Sequence, residues 1–186
     1  FYRLKDFQES WKEKRSIMFW RGSTTGQPIS SVGKLMELQR IKACLLYQKN
    51  DKFDMKITNI VQNQVPKQIL KQWLLSNELL THKIREEAFQ NFKYYPDFPG
   101  NNSLCGSWGT IKKHLRGILI FKPDHLSKMY YDRFMQPWEH YIPVKTDFSD
   151  LEKLYSWAEK NQEESCLIAW RGRTVAKGYL QNIREH

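Results

Sequence analysis

Short apolar segments alternate with amphipathic stretches along this chain. Ile17-Met-Phe-Trp20 and Ile118-Leu-Ile-Phe121 are unbroken apolar runs, whereas Phe53, Met55 and Ile57 alternate with polar neighbours. Alternation marks a strand buried on one face, and a short continuous run suits a strand covered on both. Helical spacing is read over Phe7 to Arg15, Ser31 to Tyr47 (through Leu35, Leu38, Ile41 and Leu45), Pro66 to Leu80 and Lys83 to Gln90. Phe92 to Tyr95 reads as a strand end, stopped by Pro96-Asp-Phe-Pro-Gly100. A loop over Asn101 to Ser107 leads into a helix from Trp108 to about Arg116, with Gly117 as its stop. Further helices are expected over Leu126 to Phe134 and from Glu164 to about Leu180. Tyr141 to Val144 is extended, and Pro143 favours an edge or end position because it lacks a donor for the ladder. Ser149 with Glu152 reads as a capping box for the helix that carries Leu151, Leu154, Tyr155 and Ala158. Helices between short apolar strands predict an α/β protein, a doubly wound, Rossmann-like parallel sheet whose ligands sit beyond the carboxyl ends of the strands.

Composition narrows the picture only slightly. At 186 residues and 40% hydrophobic content the chain can bury the core of one domain. No apolar run is long enough to span a bilayer, and no signal peptide is read in the polar stretch from Phe1 to Arg15. Cys44, Cys105 and Cys166 are far apart and odd in number, which argues against a zinc ribbon or a disulfide framework. The net charge of +10 favours anionic partners, among them nucleic acid, anionic lipid, phosphorylated glycans and nucleotide-sugars.

Two loops could carry chemistry. Trp20-Arg-Gly-Ser-Thr-Thr-Gly26 follows a strand; glycines allow close backbone approach to an anion, hydroxyls add donors, and Arg21 offers a bidentate fork. An ordinary glycine turn with an exposed arginine would look the same. Gly106-Ser107-Trp108-Gly109 opens a helix that carries Lys112, Lys113, His114 and Arg116; a helix N-terminus binds anions, but a solvated basic face fits the pattern too. Trp108 suits stacking on a base or sugar as well as it suits a core anchor. His140 follows Glu139, and adjacent strand positions point to opposite faces, so a hydrogen-bonded structural histidine is favoured over a dyad. HExxH and GxSxG patterns are absent. Trp170-Arg-Gly-Arg-Thr174 echoes Trp20-Arg-Gly-Ser-Thr24 by coincidence, since the later copy lies inside a helical pattern.

Gln136-Pro-Trp-Glu-His-Tyr-Ile-Pro-Val-Lys145, running into Thr146-Asp-Phe-Ser-Asp-Leu-Glu-Lys-Leu154, resembles the C-terminal signature of glycosyltransferase family 90. That family includes lipopolysaccharide-core glycosyltransferases and protein O-glucosyltransferases. Phe19-Trp-Arg-Gly-Ser-Thr-Thr-Gly26 is similar to a second family segment, in the expected order. The resemblance implies the donor-binding half of a GT-B enzyme, and transfer of a sugar from a UDP-sugar with no metal or other cofactor. Donor-binding residues implied by position are Arg21, Gly22, Ser23, Thr24, Asp97, Gly100, Ser107 and Trp108. Lys112 or Lys113 would stand in for an arginine that the protein-glucosyltransferase branch carries near Trp108. That departure, and the lack of a retention signal at His186, favour the lipopolysaccharide branch.

The implied division is residues 1–16 as the end of an acceptor-side domain or an interdomain helix, 17–160 as the nucleotide-sugar domain, and 161–186 as a helix packing back toward the missing half. A catalytic carboxylate is expected upstream of Phe19, so the chain by itself is expected to bind donor without transferring it. The implied partners are a UDP-sugar, a lipopolysaccharide-core or other glycan acceptor and an anionic membrane surface, in the cytoplasm; nucleic acid is not expected. The rival class is a basic nucleic-acid-binding or non-catalytic interaction module, although no RRM, KH or zinc-finger pattern is present.

Overall fold

A computed structural model describes residues 3–101, 108–123 and 130–184. Five strands, β1 (Arg15–Ser23), β2 (Phe53–Asn59), β3 (Phe92–Pro96), β4 (Leu119–Pro123) and β5 (Ile142–Val144), form one sheet in the order β2-β1-β3-β4-β5. Every pairing is parallel. Among the described residues seven α-helices precede, connect or follow them: α1 (Leu4–Lys12), α2 (Val32–Glu37), α3 (Gln39–Tyr47), α4 (Lys67–Ser76), α5 (Trp108–Leu115), α6 (Leu151–Lys160) and α7 (Gln162–Arg184).

Both sheet faces are covered, which is why Leu119, Ile120 and Phe121 of β4 are all apolar and buried. Leu119 and Phe121 enter the core beneath α1, α3, α4 and α6, while Ile118 and Ile120 enter a second core with α5 and the later part of α7. β2 lies at one edge; its Phe53, Met55 and Ile57 are buried while Asp54, Lys56 and Thr58 are half-buried. β5 forms the other edge, where the missing N–H of Pro143 is harmless. Helix α1 joins the main core through Phe7 and Trp11, and Phe7 lies 5.3 Å from Trp170 of α7. Trp20 ends up in a strand and Trp170 in a helix, so their sequence echo has no structural counterpart.

Gly117 ends α5 at φ +64°, with its N–H donating to the His114 carbonyl at 2.8 Å. A Cβ there would approach the Phe7 ring to 2.3 Å, so both the turn and the packing of α1 require glycine.

Several elements differ from the sequence expectation. The single helix over Ser31 to Tyr47 is two, broken where Leu38 turns extended (φ −60°, ψ 127°). Leu38 and Arg40 are both buried, and positions two apart on one helix point about 200° apart. The break lets both turn inward. The helix from Pro66 stops at Ser76, because Glu78 takes a positive φ and Leu79 donates back to the Leu74 carbonyl. Leu80 then bridges to Ile57 as an extension of the sheet edge. In place of the expected Lys83 to Gln90 helix there is a 3-10 turn over Glu86–Asn91.

The first helix begins and ends three residues early, because Arg15 is already paired to Phe92 in the sheet. Of the Leu126 to Phe134 helix, 126–129 lie outside the described residues and Tyr130–Phe134 is a 3-10 turn. The capping box is absent. Asp150 holds the N-cap position of α6 while its carboxylate accepts from the Lys145 N–H, and Glu152 accepts instead from Asn50 Nδ2 at 2.8 Å.

Candidate nucleotide-sugar cleft

The strand order reverses between β1 and β3, and at such a switch point diverging connections leave a crevice at the carboxyl edge. A cleft of about 370 Å³ lies there. Its walls are Trp20 to Ser23 and Thr25 from the end of β1, Tyr95, Asp97, Phe98 and Gly100 from the end of β3, and Arg40 from α3. A smaller hollow of about 140 Å³, bounded by Gly26, Glu37 and Pro99, shares Thr25, Gly100 and Arg40.

Arg40, which the sequence reading missed, ties the two walls together. Its Nη1 donates to the Ser23 carbonyl and its Nη2 to the Pro99 carbonyl, and its guanidinium lies over the Trp20 ring at 5.6 Å. Nothing in the 31–47 pattern flags it, because an arginine on a regular helix reads as solvent-facing. Gln62 closes the outer side, accepting from the Gly26 N–H at 2.8 Å and donating to Asn101 Oδ1 at 2.8 Å.

The residues named from sequence fall into several places. Arg21 lines the cleft, but its Nη2 pairs with Asp54 at 2.7 Å, its Nη1 donates to the Trp20 and Asp54 carbonyls, and it stacks on Phe19. That guanidinium is therefore part of the wall, held across the β1–β2 seam. Gly22 and Ser23 line the cleft, and a Cβ on Gly22 would strike the Trp20 ring at 2.2 Å.

Thr24 is fully buried and turned away, with its hydroxyl donating to the Val61 carbonyl and accepting from the Val61 N–H, both at 2.9 Å. Thr25, part of the same loop but not among the donor-binding residues implied by position, faces the cleft in its place.

Asp97 is buried at the end of β3 and accepts from Thr110 Oγ1 at 2.8 Å, which brings the first turn of α5 beside the same cleft as Arg21. Gly100 lines both cavities. Ser107 and Cys105 lie outside the described residues, and of Trp108 the backbone opening α5 is what can be placed.

Lys112 is exposed. Lys113 is buried, pairs with Glu86 at 2.5 Å and packs 3.8 Å from the Phe89 ring; burial, only partly offset by Glu86, lowers its pKa. Neither lysine lines the described cleft.

The signature segment supports the site without lining it. Phe148 at φ +59° is fully buried, packs edge-on to Phe98 at 4.6 Å and accepts at its carbonyl from the Tyr47 hydroxyl. Phe98 in turn meets Trp20 at 5.0 Å, so the segment props up the cleft floor through an aromatic chain. His140 lies in a turn, not a strand, and its Nε2 therefore comes within 3.8 Å of Glu139 Oε1, contrary to the opposite-face expectation. Its Nδ1 accepts from the Gln136 N–H at 2.9 Å, the structural role favoured above.

Behind α5, His114 is buried against Gly172 of α7, where a Cβ would come within 2.6 Å of both its Nδ1 and the His140 carbonyl. Burial, aided by nearby Lys122 and His140, pushes the His114 imidazole down to about 3. The folded state thus keeps it neutral while the unfolded chain takes a proton below about pH 6.5. Stability from this group is present above that pH and is lost on acidification, by about 2 kcal/mol between pH 7 and 5 at ~1.4 kcal/mol per unit. Urea unfolding at stepped pH should show this slope, and His114→Leu should flatten it. Equal slopes in both proteins would refute the assignment.

Among the described residues, no group of three or more His, Cys, Asp or Glu side chains is arranged to hold a metal ion, and no helix is long and apolar enough to cross a membrane. Cys44 and Cys166 are free and buried, and burial pushes their thiols up to about 12 and about 11.

The fold is shared with solved glycosyltransferases of the GT-B type. A C-terminal domain of a glycosyl transferase group 1 family protein (LpcC) from Francisella tularensis superposes with a TM-score of 0.51 at 13% identity, covering 92% of this chain and 91% of that one. TarM from S. aureus, in a complex that includes UDP, gives 0.55 at 12% identity, over 94% of this chain and 36% of that one.

In sequence, human protein O-glucosyltransferase 1 is 29% identical over 180 residues, 94% of this chain and 40% of the relative. Human protein O-glucosyltransferase 3 is 39% identical over 69 residues, 36% of this chain and 13% of the relative. The chain thus spans two fifths or less of the length of these relatives. The family model for glycosyl transferase family 90 matches residues 3–182, and the chain belongs to that family.

Proposed function

We propose that this chain is the donor-binding part of a glycosyltransferase and holds the nucleoside diphosphate of a UDP-sugar in the β1/β3 cleft. The observation that carries the reading is the meeting of Gly22–Ser23, Asp97–Gly100 and Arg40 at the switch point of a parallel sheet. Solved neighbours whose complexes contain UDP share the fold, which supports the choice of nucleotide.

In this mechanism the departing UDP is stabilised by fixed cations and oriented backbone dipoles, which need no rearrangement as charge develops. Arg40 and Arg21 are held by carbonyl and carboxylate oxygens, so their charges are preset at the wall. The first turn of α5, positioned by the Asp97–Thr110 bond, directs its dipole toward the same edge. The carboxylate that deprotonates the acceptor hydroxyl is assigned to the part of the relatives that this chain does not span.

Two acceptors are proposed. The lack of an arginine at the start of α5 supports a lipopolysaccharide-core glycan, for an enzyme leaning from the cytoplasm on an anionic membrane. The names of the curated relatives support a protein hydroxyl instead.

Calorimetric titration with UDP and UDP-glucose, beside a short oligonucleotide, tests the donor reading. UDP should bind to the native chain and lose at least tenfold in affinity in Gly100→Trp, which fills the cleft. Oligonucleotide binding with UDP inert would replace this proposal with the nucleic-acid one.

A further inference from the structure

At the opposite edge of the sheet, the starts of β1 and β3 and the end of α5 border a cavity of about 680 Å³. Along β1 the two ends are about 26 Å apart at ~3.3 Å per residue, so this cavity is remote from the nucleotide cleft. Four cations line it: Lys14, Arg15, Arg116 and Arg173. They come from the α1–β1 connection, the first residue of β1, the residue after α5 and the middle of α7.

Lys14 Nζ donates to the Gln90 carbonyl and, at 3.1 Å, to the Arg116 carbonyl, while Arg173 Nε donates to the Leu115 carbonyl at 3.0 Å. These carbonyls lie at or just past the end of α5 and in the preceding 3-10 turn, where a cation is favourable. A single cap would satisfy that requirement, yet four cations converge around a void.

Among the described residues, Glu13, Glu86 and Glu87 are the carboxylates at the cavity or in contact with its cations. Glu13 lines the rim, and Glu86 and Glu87 contact Arg116 at 3.6 and 3.8 Å. Glu86 is shared with Lys113. Phe7 and Phe92 supply an apolar floor, with Arg173 and Arg15 lying 5.7 and 5.2 Å from their ring centres.

We propose that this cavity binds a small phosphate-bearing anion, a phosphate monoester or diphosphate of about sugar-phosphate size, at a site separate from the donor cleft. The volume falls within the ~300–1,000 Å³ usual for small-molecule sites, and a recessed wall suits a small ligand better than a membrane or a nucleic-acid backbone. Convergent cations hold phosphate, and the rings beneath give a sugar an apolar face to rest on. Crowding supports the geometry: burial first, and then Arg173, lower the Lys14 amine to about 8, and an anion would relieve that repulsion.

The lowered pKa also makes Lys14 a reporter. At pH 7.5 an amine-reactive anhydride should label it well ahead of the exposed lysines, with sites identified by peptide mass spectrometry. Millimolar pyrophosphate should slow labelling of Lys14 at least fivefold, in the native chain and equally in Gly100→Trp. Arg15→Gln, an exposed change at the start of β1, should raise the pyrophosphate concentration needed about tenfold. The proposal is overturned if pyrophosphate leaves Lys14 labelling unchanged or if sodium chloride of equal ionic strength protects as well. It is equally overturned if protection disappears in Gly100→Trp, or if only anionic vesicles or an oligonucleotide protect.

Discussion

Lys122→Met is expected to destabilise the fold by about 3–5 kcal/mol, because it removes from the buried Asp132 carboxylate the cation it is paired with. Lys122 lies one residue before the end of β4, with its side chain 10% exposed; it pairs with Asp132, whose side chain is 5% exposed, and lies 5.8 and 5.6 Å from the ring centres of Tyr131 and Tyr141. In a domain of this size each kcal/mol moves the melting temperature by roughly 2–4 °C, so a fall near 10 °C should be seen. The double change Lys122→Met with Asp132→Asn should recover most of the loss, since removing both charges removes the desolvation problem along with the attraction. Thermal melts and urea midpoints of the two single variants and the double variant give the coupling directly. A Lys122→Met protein within about 1 kcal/mol of the native one would mean that water reaches the pair.

Arg40→Met is expected to weaken UDP binding about a hundredfold or more, which corresponds to a loss of at least ~2.7 kcal/mol. The change removes charge-assisted hydrogen bonds to the Ser23 and Pro99 carbonyls, each worth about 1.5–3 kcal/mol. The loops they join should then drift apart. Arg40→Lys should not rescue binding, because an ammonium cannot span two carbonyls on opposite walls as a planar fork does. Calorimetry reports the affinity, and urea unfolding under the same conditions shows whether the fold survives. UDP affinity within threefold of native in a folded Arg40→Met protein would remove Arg40 from the site.

Legibility along the chain followed the range of the interactions. Ile118 to Phe121 was readable because a strand covered on both faces needs nothing but apolar residues, and Pro143 because a missing N–H belongs at an edge. Gly117 was readable because a positive φ at a helix end selects glycine locally.

Arg40 was not readable, since its burial depends on the break at Leu38, which only the packing of two inward residues explains. The capping box misled for the same kind of reason: Glu152 had a distant partner, Asn50, that local pattern cannot show. Thr24 and Thr25 illustrate the limit most simply. Both read as hydroxyl donors in one loop, but Val61 captures the first and leaves the second facing the cleft.

Period, punctuation and the two signature segments were enough to establish a parallel α/β protein of glycosyl transferase family 90, because each rests on interactions within a few residues of chain. Which cations line the β1/β3 cleft, which are held away from it in pairs such as Lys113–Glu86, and which gather at the far edge was decided by tertiary structure. A charge's role depends on what is folded against it, and those partners lie tens of residues away in the chain.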